Sequence, residues 1–199
     1  MKNEKRAVET KLAFADALKK LLHKKSLSKI TISDLAKECD LNRNTFYYHF
    51  IDINDLLDWM LKKDTEEIRN SVCCSDNIET AIRLVLEYFD KNLYMVQRIH
   101  RSLGDEAVKN LIFDELEKLM FYTIDNTRQA LALEIDSKFL EFLSNFYTEA
   151  LIGMLIRQIK EVNKEDKETV FKNLLFMCYS SIPITLTEYA KGQFRHKTQ

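Results

Sequence analysis

Apolar residues recur along this chain at helical spacing almost from end to end. Val8, Leu12, Ala15, Leu18 and Leu22 form one steady stripe, which predicts a first helix over Lys5–Lys25. Ile32, Leu35, Ala36 and Cys39 give a short second helix over Ile32–Cys39, and Arg43–His49 gives a third whose Phe46 and Phe50 close a small core with Leu41. A fourth helix over Ile53–Val72 carries Leu56, Leu57, Met60 and Leu61, with Trp59 as a packing residue. Beyond Ser75–Asn77 the pattern resumes with Val85, Leu86 and Phe89, then Leu93, Met95, Val96 and Ile99, and stops at Gly104. Asp105 is placed to cap the next helix, over 105–133. Lys138–Val162 is apolar around so much of its circumference that two of its sides are expected to be covered. Glu168–Phe194 forms a last helix that Pro183 kinks or ends.

The breaks carry as much information as the stripes. Thr31 precedes the second helix with Asp34 three residues on, a capping-box spacing with Asp in the place usual for Glu or Gln. Asp40 tolerates the left-handed conformation a tight turn needs, and Asn42 suits the cap of the third helix. Two short helices joined by such a turn make a helix-turn-helix, whose second helix enters the DNA major groove. That helix offers Arg43 for guanine and Asn44 for adenine, with Thr45, Tyr47, Tyr48 and His49 at its surface or margins. Thr31, Lys37 and Asn42 complete the candidate DNA contacts. The ring of Tyr47 is expected to be half-buried, with its hydroxyl outward.

Composition narrows the class. One proline and three glycines in 199 residues exclude a loop-rich or all-β scaffold and fit an all-α chain. No run of about 18 apolar residues is apparent, so no membrane span is expected. The four cysteines show neither metal-ligand spacing nor a disulfide framework, and adjacent Cys73 and Cys74 are read as structural, which points to a reducing, cytoplasmic location. The net charge of −1 hides an asymmetry: residues 1–63 hold 13 Lys+Arg against 9 Asp+Glu, and the rest hold 17 against 22. Lys2, Lys5, Arg6 and Lys11 open the chain; such an arm either reaches phosphates or is a solvated terminus.

The segment ITISDLAKECDLNRNTFYYHF resembles the N-terminal DNA-binding domain of TetR/AcrR-family transcriptional regulators, within roughly residues 5–60. Thr31, Ile32, Leu35, Ala36, Thr45, Phe46, Tyr47, His49 and Phe50 fall on the family pattern, and the subgroup it is most similar to is that of the dihydroxyacetone kinase regulator. The resemblance implies a helix-turn-helix DNA-binding domain over residues 1–52 and a helical effector-binding and dimerisation domain over 53–199. It further implies a homodimer on a palindromic double-stranded operator, most readily a repressor released by a small-molecule effector. The alternative is a co-activator or interaction module whose effector is a partner protein. Three positions depart from the pattern: Asp40 and Ser26 stand where glycine is usual, and Ile53 replaces a lysine that commonly contacts a phosphate. One backbone anchor per subunit is therefore expected to be missing, or replaced by Lys37, Arg43 or the N-terminal arm.

No catalytic, cofactor or metal constellation is expected. Phosphate-binding and nucleophile motifs are absent, and His23, His49, His100 and His196 are scattered. Phe89, His100, Phe121 and Tyr147 are candidates to line an effector pocket, although aromatic residues at helical spacing serve equally as core.

Overall fold

A computed structural model describes residues 2–73, 78–160 and 167–193. Seven α-helices and one 3-10 turn follow in order: α1 (Lys2–Lys24), the turn Leu27–Lys29, α2 (Ile32–Glu38), α3 (Arg43–His49), α4 (Ile53–Cys73), α5 (Ile78–Ala130), α6 (Ser137–Lys160) and α7 (Lys167–Gln193). The protein is all-α, as its periodicity predicts. Cys74 and the breaks expected at Ser75–Asn77 and Asn163–Asp166 lie outside the described residues.

The chain forms two compact units, Met1–Asp64 with Asn92–Leu111, and Thr65–Lys91 with Ile112–Gln199. In the first, Phe14, Leu18, Leu22, Leu35, Phe46, Leu56 and Leu57 are fully buried. The Phe14 ring meets Phe46 edge-on at 5.2 Å and Phe50 at 6.5 Å, so one side chain of α1 holds the middle and the end of α3. Only part of the predicted α1 stripe is buried. Ala15, Leu18 and Leu22 are inside, whereas Val8 and Leu12 stay 45% and 36% exposed. The helix also starts three residues earlier than its pattern suggested. Glu4 near its start and His23 and Lys24 at its end match the sign of the helix dipole.

The break at Gly104 is a kink inside α5. Its backbone, at φ 83 and ψ 177, occupies a region open essentially to glycine alone. A Cβ built there would meet nothing within 4 Å, so an added side chain would cost through the backbone only. Gly104→Ala is expected to lower stability by about 1–3 kcal/mol, visible as a lower urea midpoint at unchanged m-value. Asp105 Oδ1 lies 2.6 Å from His100 Nε2 across the kink.

In the second unit α6 is held at its start by Asp136. One carboxylate oxygen accepts the Phe139 N–H at 3.0 Å, and the other accepts the Tyr189 hydroxyl of α7 at 2.8 Å. Farther along, the Tyr147 hydroxyl bonds the Ser181 hydroxyl at 2.6 Å, and Ser144 Oγ donates to the Glu117 carbonyl of α5 at 3.1 Å. Leu140, Leu143, Leu151, Ile152 and Leu155 pack inward. The other side of α6, expected to be covered as well, leaves Phe142 and Phe146 61% and 57% exposed. Against expectation, α6 is long and apolar enough to cross a membrane by length and composition. The packing accounts for that: the apolar excess is shared between a face buried on α5 and α7 and these exposed aromatics. Helix α7 runs unbroken past Pro183, burying Cys178, Ile182 and Leu186 at four-residue intervals.

Candidate nucleic-acid interface

The helix-turn-helix is assembled from local hydrogen bonds. Thr31 is extended, its N–H donates to Asp34 Oδ2 at 2.8 Å, and its Oγ1 accepts from the Asp34 N–H at 3.1 Å, a complete capping box. Lys25 Nζ lies 2.6 Å from the same carboxylate, tying the end of α1 to the start of α2. The Lys25 ammonium first, and the Thr31 hydroxyl and amide after it, hold the Asp34 carboxyl well below the usual range. A carboxyl depressed in the folded state stabilises the fold above its unfolded value, and loses that contribution as pH falls through the folded one. Asp34→Asn keeps an acceptor for the cap but removes the charge. It is expected to flatten the acid limb of a urea-midpoint against pH curve below about pH 4, leaving the shape near neutrality unchanged.

The turn closes as a Schellman motif, with Asp40 at φ 54 and the Leu41 N–H donating to the Ala36 carbonyl at 2.9 Å. Asp40 thus adopts the left-handed conformation in place of glycine, at a cost of roughly 1–2 kcal/mol. The other glycine substitute, Ser26, is extended at φ −65 and ψ 153, where no glycine is needed.

Asn42 caps α3, its Oδ1 accepting from the Thr45 N–H at 2.8 Å and the Thr45 hydroxyl at 3.1 Å. The hydroxyls of Thr31 and Thr45 are therefore engaged in caps, and both residues shape the helices before they can touch a ligand. Phe46 is the buried anchor of α3. Arg43 and Tyr47, and Asn44 and Tyr48, stand four apart in two exposed columns, with Tyr47 53% and Tyr48 84% exposed. The Tyr47 ring is half-exposed against the edge of Phe46, close to expectation. Among the described residues Arg43 makes no ion pair, and neither does exposed Lys37 in the last turn of α2. His49 is half-buried beside Tyr48. Burial first and the Lys11 charge second lower its pKa, so at neutral pH it can exchange hydrogen bonds but is a poor cation for a phosphate.

At the entry to α4, Asp52 Oδ1 accepts the Asp55 N–H and Asp55 Oδ2 accepts the Ile51 N–H, both at 2.9 Å. Ile53 follows, half-buried, and Ile51 is 83% exposed. Trp59 packs edge-on against Phe50 at 5.9 Å.

Phe89 is buried against the edge of Phe171, Tyr147 is buried and bonded to Ser181, Phe121 is half-buried, and His100 is paired with Asp105. A small apolar cavity in the second unit is lined by Val85, Leu86, Leu116, Leu119, Met120, Thr123, Leu151 and Leu155. One turn before Leu151, the fully buried Thr148 hydroxyl has no hydrogen-bond partner. Two groupings escaped the periodic reading. Lys11 lies over the rings of Phe50 and Trp59, and Tyr94 of α5 stacks on His23 with the Arg98 guanidinium 4.5 Å from its ring. Lys11 with Phe50 and Trp59, and His23 with Tyr94, have no periodic signal because they are distant in sequence.

Comparison with known proteins agrees with this geometry. Residues 15–60 match the family model of bacterial regulatory proteins of the tetR family, and residues 76–179 match a model of a transcriptional regulator C-terminal region. Over 133 residues the chain is 29% identical to the HTH-type dhaKLM operon transcriptional activator DhaS of Lactococcus lactis subsp. lactis, spanning 62% of this chain and 71% of that one. It is 25% identical over 181 residues to the uncharacterized HTH-type transcriptional regulator YxbF of Bacillus subtilis, spanning 86% of this chain but 45% of that protein's length. Among solved structures, the dihydroxyacetone kinase operon activator DhaS superposes with a TM-score of 0.73 at 22% identity, covering 89% of this chain and 98% of that chain. The TetR-family repressor AlkX of a Dietzia strain gives 0.52 at 18% identity, covering 86% and 94%. At these identities the structural likenesses speak for the fold.

Proposed function

Since this chain belongs to the TetR family of transcriptional regulators, and so is not an enzyme, we propose that it is a cytoplasmic homodimer that binds a palindromic operator and represses transcription until an effector releases it. Residues 1–52 read the DNA and residues 53–199 carry dimerisation and the response to the effector. The observation that carries this reading is the exposed surface of α3. A capped helix seven residues long presents Arg43, Asn44, Tyr47 and Tyr48 outward, and among the described residues no carboxylate pairs with Arg43. Guanidinium and carboxamide groups can read base edges, and phenol hydroxyls can hold phosphates. The dimer draws support from Phe142 and Phe146 on α6 and from Phe176 and Ile184 on α7, all exposed in the single chain. Neighbouring exposed apolar side chains, such as Phe142 and Phe146 with rings 6.5 Å apart, mark surfaces that other proteins cover. A two-fold dimer would then set two α3 helices about 34–36 Å apart, one turn of DNA.

Selection of bound duplexes from a random pool tests the reading: an inverted repeat should be enriched, and failure to enrich any motif overturns it. A second reading, a co-activator responding to a partner protein, is favoured by the 29% identity to a protein described as a transcriptional activator. Deleting the gene separates the two. Target transcripts rise if the protein represses and fall if it activates.

A further inference from the structure

The corner between α3 and α4 is poorly suited to DNA by its own residues. The carboxylates of Asp52 and Asp55 occupy amides at the start of α4, and Ile51 and Ile53 add apolar side chains. A phosphate approaching here meets two negative charges and no lysine or arginine among residues 50–56. A cation nevertheless stands at the corner, delivered by α1. Lys11 Nζ lies 5.3 Å from the centroid of the Phe50 ring and 5.6 Å from that of Trp59.

We propose that Lys11 is a phosphate-binding residue of the DNA interface, positioned at the α3–α4 corner by the faces of Phe50 and Trp59. The proposal rests on the DNA-binding reading above and names the residue that replaces the anchor expected at Ile53. Two aromatic faces attract an ammonium while offering neither a counter-charge nor a strong hydrogen-bond acceptor. Its three N–H donors and its full charge stay available, and the entropy of ordering a lysine is partly met before DNA arrives. Three other lysines of the same region differ. Lys19 is paired with Asp64 at 2.7 Å, Lys24 with Glu38 at 3.7 Å and Lys25 with Asp34 at 2.6 Å, whereas Lys11, like Lys37, makes no ion pair among the described residues. Its charge is felt at the end of α3, where after burial it helps lower the His49 pKa. Contacts of this type fix the register of a reading helix without reading sequence.

The test is the salt dependence of binding to a fluorescent mixed-sequence duplex, followed by anisotropy and repeated on the selected operator. Lys11→Gln is expected to make the slope of log Kobs against log salt shallower by about 0.9 per subunit, about 1.8 for a dimer, and equally on both DNAs. Lys11→Arg should retain the wild-type slope. Adding Ile53→Lys to Lys11→Gln should restore it, which a merely damaged fold would not allow. An unchanged slope in Lys11→Gln, beside a salt-dependent wild type, overturns the role of Lys11 and leaves the DNA-binding reading standing. Failure of Ile53→Lys to restore the slope also overturns it. A wild type with no salt-dependent binding removes both together.

Discussion

Truncating Phe14 to alanine is expected to destabilise the protein by about 3–5 kcal/mol, the range for a buried aromatic lost from a packed core, and to abolish DNA binding with it. The size follows from the ring's position. Phe14 is fully buried, and its ring is the side chain of α1 that meets both Phe46 and Phe50. Helices α2 and α3 are seven residues each, well below the dozen or so at which a helix begins to be stable alone, so packing holds them in place. A cavity of one phenyl ring would remove a large part of a typical total stability of about 5–15 kcal/mol. Urea denaturation followed by circular dichroism and by Trp59 fluorescence measures it, since Trp59 packs on Phe50 and reports on the same core. Phe142→Ala removes an equal volume from an exposed site and should change monomer stability by no more than about 0.5 kcal/mol. A loss below about 1 kcal/mol for Phe14→Ala would mean that α3 is held by contacts other than this cluster.

What was legible in the sequence was local. Thr31 with Asp34, Asn42 with Thr45, and Asp40 in the turn are all satisfied within three or four residues, so their types and spacing are enough to place α2 and α3. Gly104 was legible for the same reason, because its conformation excludes other residues and interrupts the helix there, as expected. Burial was less legible. Val8 and Leu12 continue the stripe of Leu18 and Leu22 yet remain exposed, because α1 outruns the short helices that cover its second half. On α6, periodicity distinguishes apolar from polar but cannot say whether the cover comes from the same chain, and Phe142 and Phe146 are left uncovered by it. Lys11 was the hardest to read. A lysine in a basic arm looks solvated, and only the fold brings Phe50 and Trp59 beneath it.

Among the residues proposed to read DNA, Arg43 makes the sharpest test. It is the first residue of α3, exposed and, among the described residues, without an ion pair. A cation at a helix N-terminus is opposed by the helix dipole, by roughly 0.3–1 kcal/mol at an exposed site. Arg43 is therefore unfavourable to the free fold, and its fork of donors finds no acceptor there. A base or phosphate would supply one. If Arg43 reads guanine bidentately, Arg43→Ala should lose about 1–3 kcal/mol of discrimination at one base pair of each half-site, roughly 5- to 150-fold in relative affinity. The same substitution should leave the urea midpoint unchanged or raise it slightly, because the unfavourable charge is gone. A structural residue cannot produce that opposition, since its loss weakens fold and binding together. Competition binding against operators altered at single positions measures the discrimination. A loss confined to one base pair per half-site assigns Arg43 to base reading, whereas an equal loss on every duplex, with a shallower salt slope, would move it to the phosphates beside Lys37.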